Sequence, residues 1–418
     1  MELGSQARAG SVEEVAQPAR VSTLELFFDL VFVFTITQLT NVLVHEPNLA
    51  GLLQVVLMLG VIWWMYGGYA WLTNEVAPDR LGRRLLLLCG MAGFLLVALA
   101  IPTAFRGSGA TFGAAYLLVV LVHAGTFTRT TSQDVFRGIL TIAPYNLATA
   151  LLVLAGGIIG GTTQYVLWAV AFLLEWATPR LISDEAGFRI GAEHFVERHG
   201  LVVIVAIGES VVAVGIGAAG LPVDLDLIGP ALLGLGLSAC LWWSYFGRDE
   251  GRAEATMRAA DPARQARLAI DAFGYWHLPI LLGVIAIAAT LKRASGHPFD
   301  ELTAAEALML GGGAAAFLFG EGVFRRMLAI GRSRGRTTAA IVALATIPLG
   351  TALAATAQLA ALVLAFVVML LGEARRPRRG LRHVAAAPAG SGGAAGVATP
   401  RFVRRGAGSA GRGDGRAG

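Results

Sequence analysis

Apolar runs close to the length of a bilayer-spanning helix, about 20 residues, follow one another with only short polar breaks. They cover positions 24–45, 49–72, 83–105, 111–129, 136–160 and 163–182, then 196–219, 225–247, 268–291, 303–326, 337–353 and 354–373. One or two such runs fit inside a soluble core; this many do not. The pattern predicts an all-α polytopic membrane protein with about 12 transmembrane helices. The division between the last two runs rests on Leu349-Gly350-Thr351 alone.

Composition agrees with the pattern. The 418 residues are 56% hydrophobic and 15% charged, where soluble domains carry roughly 25% charged residues. Mean hydropathy is +0.65. Cys89 and Cys240 both lie inside apolar runs, so no disulfide framework is expected. The segment 1–21 is mixed polar, and the first apolar run holds Glu25 and Asp29, unlike the apolar stretch of a signal peptide. From about 374 to 418 the chain is rich in Arg, Gly and Ala without periodicity, which predicts a disordered basic tail.

Charge placement then sets the orientation. With twelve helices and a cytoplasmic N-terminus, only Arg106, Lys292 and Arg293 fall outside, and the other 30 of the 33 basic residues fall inside (33 − 3). That bias is what the positive-inside rule demands of a correct topology, with both termini cytoplasmic. The basic pI of 9.6 therefore reflects membrane orientation. Nucleic-acid binding would need a basic patch on a soluble surface, and none is expected.

The order of motifs suggests two parallel six-helix repeats, 22–182 and 183–373. Trp63-Trp64-Met65-Tyr66 in the second run is matched by Trp242-Trp243-Ser244-Tyr245 in the eighth. Phe172 in the sixth is matched by Phe366 in the twelfth, and Pro144 in the fifth by Pro348 in the eleventh. Six is even, so both halves enter from the same side. Chance likeness among apolar segments is the competing reading.

Ionisable groups in hydrocarbon cost roughly 2.5–3.5 kcal/mol at a helix centre on insertion scales, so each needs a reason. Glu25 and Asp29 are four apart on one face of the first helix, with Gln38 about 13 Å beyond Asp29. Ser22-x-x-Glu25 also reads as a capping box, which gives Glu25 a purely structural role. Asp29 lies past the first turn, where capping no longer applies. In the seventh run Glu209 stands about 18 Å beyond Glu197 and near the bilayer midplane, where it must be protonated, paired or hydrated. Glu175, Asp271, His123 and His277 complete the set of candidate path residues. Glu175, Asp29 and Asp271 fall in the cytoplasmic half, where they either share an inward vestibule or pair separately with Arg180, Arg84 and Arg267. His194, Glu197 and His199 resemble metal ligands, but Glu197 and His199 lie on different helix faces, and no zinc motif accompanies them. No metal or cofactor is expected. Pro144-Tyr145-Asn146 either breaks the fifth helix or kinks it. The Trp pairs suit interfacial belts or packing.

The stretch Val21-Ser-Thr-Leu-Glu25-Leu-Phe-Phe-Asp29-Leu-Val-Phe-Val-Phe34, with His194-Phe-x-Glu197-Arg198-x-Gly200 and Gly208-Glu209-Ser210, resembles the bacterial low temperature requirement A family over roughly 20–375. The resemblance implies a multi-pass protein of the bacterial cytoplasmic membrane linked to growth in the cold, and it implies no particular reaction. Phe27-Phe28-Asp29 is also similar to the first-helix motif of the endolysosomal potassium channel family, itself two six-helix repeats; Phe28 stands where that motif has Ser, and the seventh helix lacks it. The expected function is a transporter or permeation pathway using intramembrane carboxylates, its partners being lipid and a small ion or solute. A non-transporting structural or stress-response membrane protein and a membrane-embedded enzyme are the alternatives. No nucleophile–base set or phosphate loop supports the enzyme.

Overall fold

Ser22 opens the first helix with a reciprocal cap: Glu25 N donates to Ser22 Oγ at 3.3 Å, and Ser22 N donates to Glu25 Oε2 at 2.8 Å. From there the computed structural model describes residues 21–75, 80–127, 133–181 and 190–375. The segment 1–20, the stretches carrying Arg129 and Arg189, and the basic tail from 376 lie outside the described residues.

Every regular element among the described residues is helical. In chain order they are α1 Thr23–His45, α2 Leu49–Glu75, α3 Leu81–Ala100, α4 Gly109–Phe127, α5 Gln133–Ile159, α6 Gly161–Leu181, α7 Ala192–Gly217 and α8 Leu225–Phe246. They continue with α9 Glu250–Ala259, α10 Pro262–Leu268, a π-helical segment Ala269–Tyr275, α11 His277–Ala294, α12 Ala304–Met327, α13 Arg334–Ala345, α14 Ile347–Ala352 and α15 Ala355–Ala374. Ten stretches of the described residues are long and apolar enough to cross a bilayer. The sixth and eleventh runs of the sequence are not among them. The eleventh is divided into α13 and α14, with Pro348 in the first turn of the second piece. Pro144, by contrast, sits inside an unbroken α5, so the breakage reading of Pro144-Tyr145-Asn146 is not met.

The bundle keeps an apolar core but also exposes apolar side chains on its outer surface. On α1 the acids Glu25 and Asp29 are 2% and 3% exposed, while Phe27 and Leu30 between and beside them are 51% and 61% exposed. Apolar side chains outside and polar ones within is the arrangement that hydrocarbon surroundings favour. Where helices touch, glycines bring the backbones together. A Cβ on Gly157 of α5 would stand 2.1 Å from the Gly109 carbonyl oxygen of α4, and one on Gly283 of α11 would stand 2.5 Å from that of Gly313 of α12. α3, α4, α5 and α6 pack in succession, as do α7, α11, α12 and α13, and α1 packs against α3, α7 and α11.

Candidate functional site

Four sites stand out among the described residues of this bundle, three of them buried polar clusters and one a cavity. The first joins α1, α2 and α7. Arg198 of α7 lies 1% exposed, with Nη1 3.2 Å from Glu25 Oε1 and Nη2 donating to Asp29 Oδ1 at 3.0 Å. His194, one turn earlier, places Nε2 2.9 Å from Glu25 Oε1, and the Tyr66 hydroxyl donates to Asp29 Oδ1 at 2.9 Å. The capping box and the buried ion pair thus coexist on Glu25. Asp29 pairs with Arg198, not with Arg84 as the sequence suggested. Asp29 Oδ2 and His194 Nδ1 have no hydrogen-bond partner.

The second centre lies deeper. Glu209, 5% exposed, accepts a 2.6 Å hydrogen bond from Thr37 Oγ1 of α1. One turn along that face, Asn41 Oδ1 accepts from Lys292 Nζ of α11 at 2.8 Å. Gln38 is half-buried on the same helix and belongs to neither contact.

A third centre was not singled out from the sequence at all. Arg336 Nη1 donates to Glu321 Oε2 at 2.5 Å, Ser244 Oγ donates to the same oxygen at 2.6 Å, and Arg325 Nη1 bridges both oxygens of Glu373 at 2.9 Å. Asp249 lies 3.2 Å from Arg325 and 3.5 Å from Arg336. The only signal for it was Glu321 four residues before Arg325, a spacing that also reads as basic residues at a helix end.

The fourth is a cavity of about 450 Å³ between α2, α4, α5, α6, α7 and the π segment. Its walls are aromatic, with Trp63, Trp64, Trp71, Trp176, Phe195 and Tyr275, and its polar lining includes His123, Asn146, Arg180 and Asp271. Hydrogen bonds hold the walls: Trp63 Nε1 donates to the Gly274 carbonyl at 2.7 Å, Trp64 Nε1 to Asn146 Oδ1 at 3.1 Å, and the Tyr275 hydroxyl to the Trp176 carbonyl at 2.7 Å. The π segment hydrogen-bonds five residues apart, as in Trp276 N to the Asp271 carbonyl at 3.3 Å, and such segments concentrate at functional places. Trp63 and Trp64 are therefore packing and lining residues, whereas Trp242 and Trp243 are 40% and 62% exposed.

The predicted carboxylate vestibule is not assembled. Of its three members only Asp271 lines the cavity, and it pairs with Arg180 at 2.6 Å instead of Arg267. Asp29 belongs to the Arg198 centre. Glu175, 1% exposed, takes a short hydrogen bond from the Tyr116 hydroxyl, not from Arg180. His123 lines the cavity, while His277 stands behind it, with Nε2 2.7 Å from the Tyr245 hydroxyl and its ring stacked on Trp63. Glu197 and His199 face different partners: Glu197 accepts from Val21 N at 3.5 Å, and His199 Nδ1 sits 2.8 Å from the Phe195 carbonyl.

Against known proteins, the family model described as bacterial low temperature requirement A protein matches residues 20–371. The chain is also similar to an uncharacterized protein of Rhizobium meliloti (strain 1021), 29% identical over 323 residues that span 74% of this chain and 78% of that one. No solved structure matches. The family match spans both the α1 acids and the α7 basic pair that meets them, and on it the chain belongs to the bacterial low temperature requirement A family.

Proposed function

We propose that the chain is a transporter of a small organic solute, which binds in the aromatic cavity, and that it works as two parallel six-helix halves with both termini in the cytoplasm. The observation that carries the reading is the cavity itself. Its volume lies within the range of small-molecule sites, and its walls come from both halves, with α2, α4, α5 and α6 on one side and α7 and the π segment on the other. Transporter sites form at such repeat junctions.

Two registers support the repeat. α6 and α15 begin 194 residues apart (355 − 161), and Gln164 and Gln358 share that spacing (358 − 164). Both glutamines donate to a backbone carbonyl, Ala104 at 2.8 Å and Ala307 at 2.9 Å. α1 and α7 begin 169 apart (192 − 23), and the contacts Glu25–His194 and Asp29–Arg198 span that same 169. Residues at equivalent positions of two parallel halves meet in this way at an axis along the membrane normal. Twelve crossings follow if α6 and the α13–α14 pair also span. The Thr37–Glu209 and Asn41–Lys292 contacts then form a polar stripe on α1 leading away from the cytoplasmic face.

Gly67 gives a steric test. It lines the cavity, and a Cβ there would meet nothing within 4 Å. Proteoliposomes containing the wild type are expected to pass at least one member of a panel of small aromatic and zwitterionic solutes, and Gly67→Leu to block it while the fold survives. Equal silence of both proteins across that panel and across monovalent cations would favour the non-transporting alternative, which the pairing of Glu25, Asp29 and Glu321 with arginines supports.

A further inference from the structure

The charges of the α1–α7 centre do not balance. Glu25 and Asp29 bring two carboxylates, Arg198 brings one guanidinium, and all three are at most 3% exposed. Among the described residues the imidazole in contact with them is His194, 6% exposed; Glu197, also on α7, faces Val21 N at the edge of the centre. The elements packed on the centre add, among the described residues, neutral hydroxyls: Ser22 and Tyr66 within hydrogen-bond distance, and Thr73 toward Glu25. His199, on the next turn of α7, faces the Phe195 carbonyl and the Phe273 and His277 rings. With a neutral imidazole the centre carries one excess negative charge in apolar surroundings, a state that low dielectric disfavours strongly. One added proton cancels it.

Two atoms stand open to receive that proton. His194 Nδ1 and Asp29 Oδ2 are buried and unpartnered, at either end of the chain His194–Glu25–Arg198–Asp29. The centre also lies in the first two turns of α1 and α7, within about 9 Å of the helix start at 1.5 Å rise per residue. We propose that this set is a binding site for one exchangeable proton, held jointly across the interface between the two halves, and that the proton is the coupling ion of the transport cycle. The coupling clause rests on the transporter reading; the proton site does not. Proton bound, the centre is neutral and holds α1 against α7. Proton released, the extra negative charge loosens that contact. Interacting groups of this kind titrate as a set and not singly.

The test is acid-induced infrared difference spectroscopy on the full chain in lipid nanodiscs, with proton uptake counted by a pH-indicating dye. The wild type should take up one proton per chain from this set and show the matching carboxyl or imidazole band. Glu25→Gln leaves one acid against one guanidinium, so that proton and its band should disappear. His194→Gln moves the open position onto a carboxyl and should shift the band instead of removing it. Wild-type bands that persist unchanged in both variants would overturn the proposal. So would a wild type with no acid-induced band, a result that needs no variant to fold. A protein that binds the proton yet moves no solute would fail the transporter reading alone.

Discussion

Arg198→Met removes the only guanidinium that meets Glu25 and Asp29 among the described residues. At 3.2 and 3.0 Å, and with an effective dielectric near 20, each attraction is about 5 kcal/mol before desolvation. Much of that offsets the transfer of three ions out of water, so the pair adds little by itself. Its removal is different, because two carboxylates then remain buried with no guanidinium. Breaking a buried pair from one side costs about 3–5 kcal/mol, a change on the order of 10³-fold in the folding equilibrium. Denaturant titration in mixed micelles, followed by tryptophan fluorescence and far-ultraviolet circular dichroism, would measure it. The triple variant Arg198→Met with Glu25→Gln and Asp29→Asn should recover most of the loss, since no ion is then buried. The reasoning is refuted if Arg198→Met unfolds within about 1 kcal/mol of the wild type, the range of an exposed pair, or if the triple variant is as unstable as the single one.

Asp271→Asn should change stability by less than about 1 kcal/mol, because its partner Arg180 is 65% exposed; the same substitution should alter solute flux, since Asp271 lines the cavity. Gln164→Leu and Gln358→Leu each remove a buried side-chain hydrogen bond to a backbone carbonyl, at Ala104 and at Ala307, and each should lower stability by about 0.5–1.5 kcal/mol; thermal unfolding that finds only one of them destabilising would count against the repeat. Gly157→Ala should abolish a monodisperse purification profile, because its methyl would stand 2.1 Å from a backbone oxygen, whereas Gly208→Ala, with nothing within 4 Å, should purify normally.

Much of the helix plan was legible because apolar length is a direct demand of the bilayer. The first run, 24–45, became Thr23–His45, and the eighth, 225–247, became Leu225–Phe246. The eleventh, 337–353, divides into two pieces with Pro348 in the first turn of the second, although Pro144 is carried inside an unbroken α5, so a proline alone does not foretell a break. Partners were harder to read. Arg198 counts as a cytoplasmic charge by position, and the positive-inside rule carries no information about depth or burial. It also pairs with Asp29, 169 residues away, a separation that no local spacing encodes. The cavity stayed hidden for a related reason: a tryptophan in a spanning helix suits packing, an interfacial belt and a binding wall equally well, and the Trp63–Gly274 contact, 211 residues apart, places Trp63 in the wall.

The contacts that tie α1, α2 and α6 to α7 and the π segment are of unequal strength, and that inequality says where motion begins. Around the cavity mouth the link is Arg180–Asp271, where water competes for the exposed guanidinium and the pair is worth at most about 1 kcal/mol. The Trp63 and Tyr275 hydrogen bonds beside it end on backbone carbonyls of Gly274 and Trp176, each a neutral bond of about 1 kcal/mol net. These can exchange for bonds to water or to a solute. The Arg198 centre cannot exchange so readily, because its ions have no water to turn to until α1 and α7 part. Opening should therefore start at the π segment and reach the α1–α7 contact last. A cross-link that ties the π segment to α6 should then arrest flux while leaving the acid-induced infrared bands intact. A cross-link between α1 and α7 should arrest both, since the proton would have no way to leave.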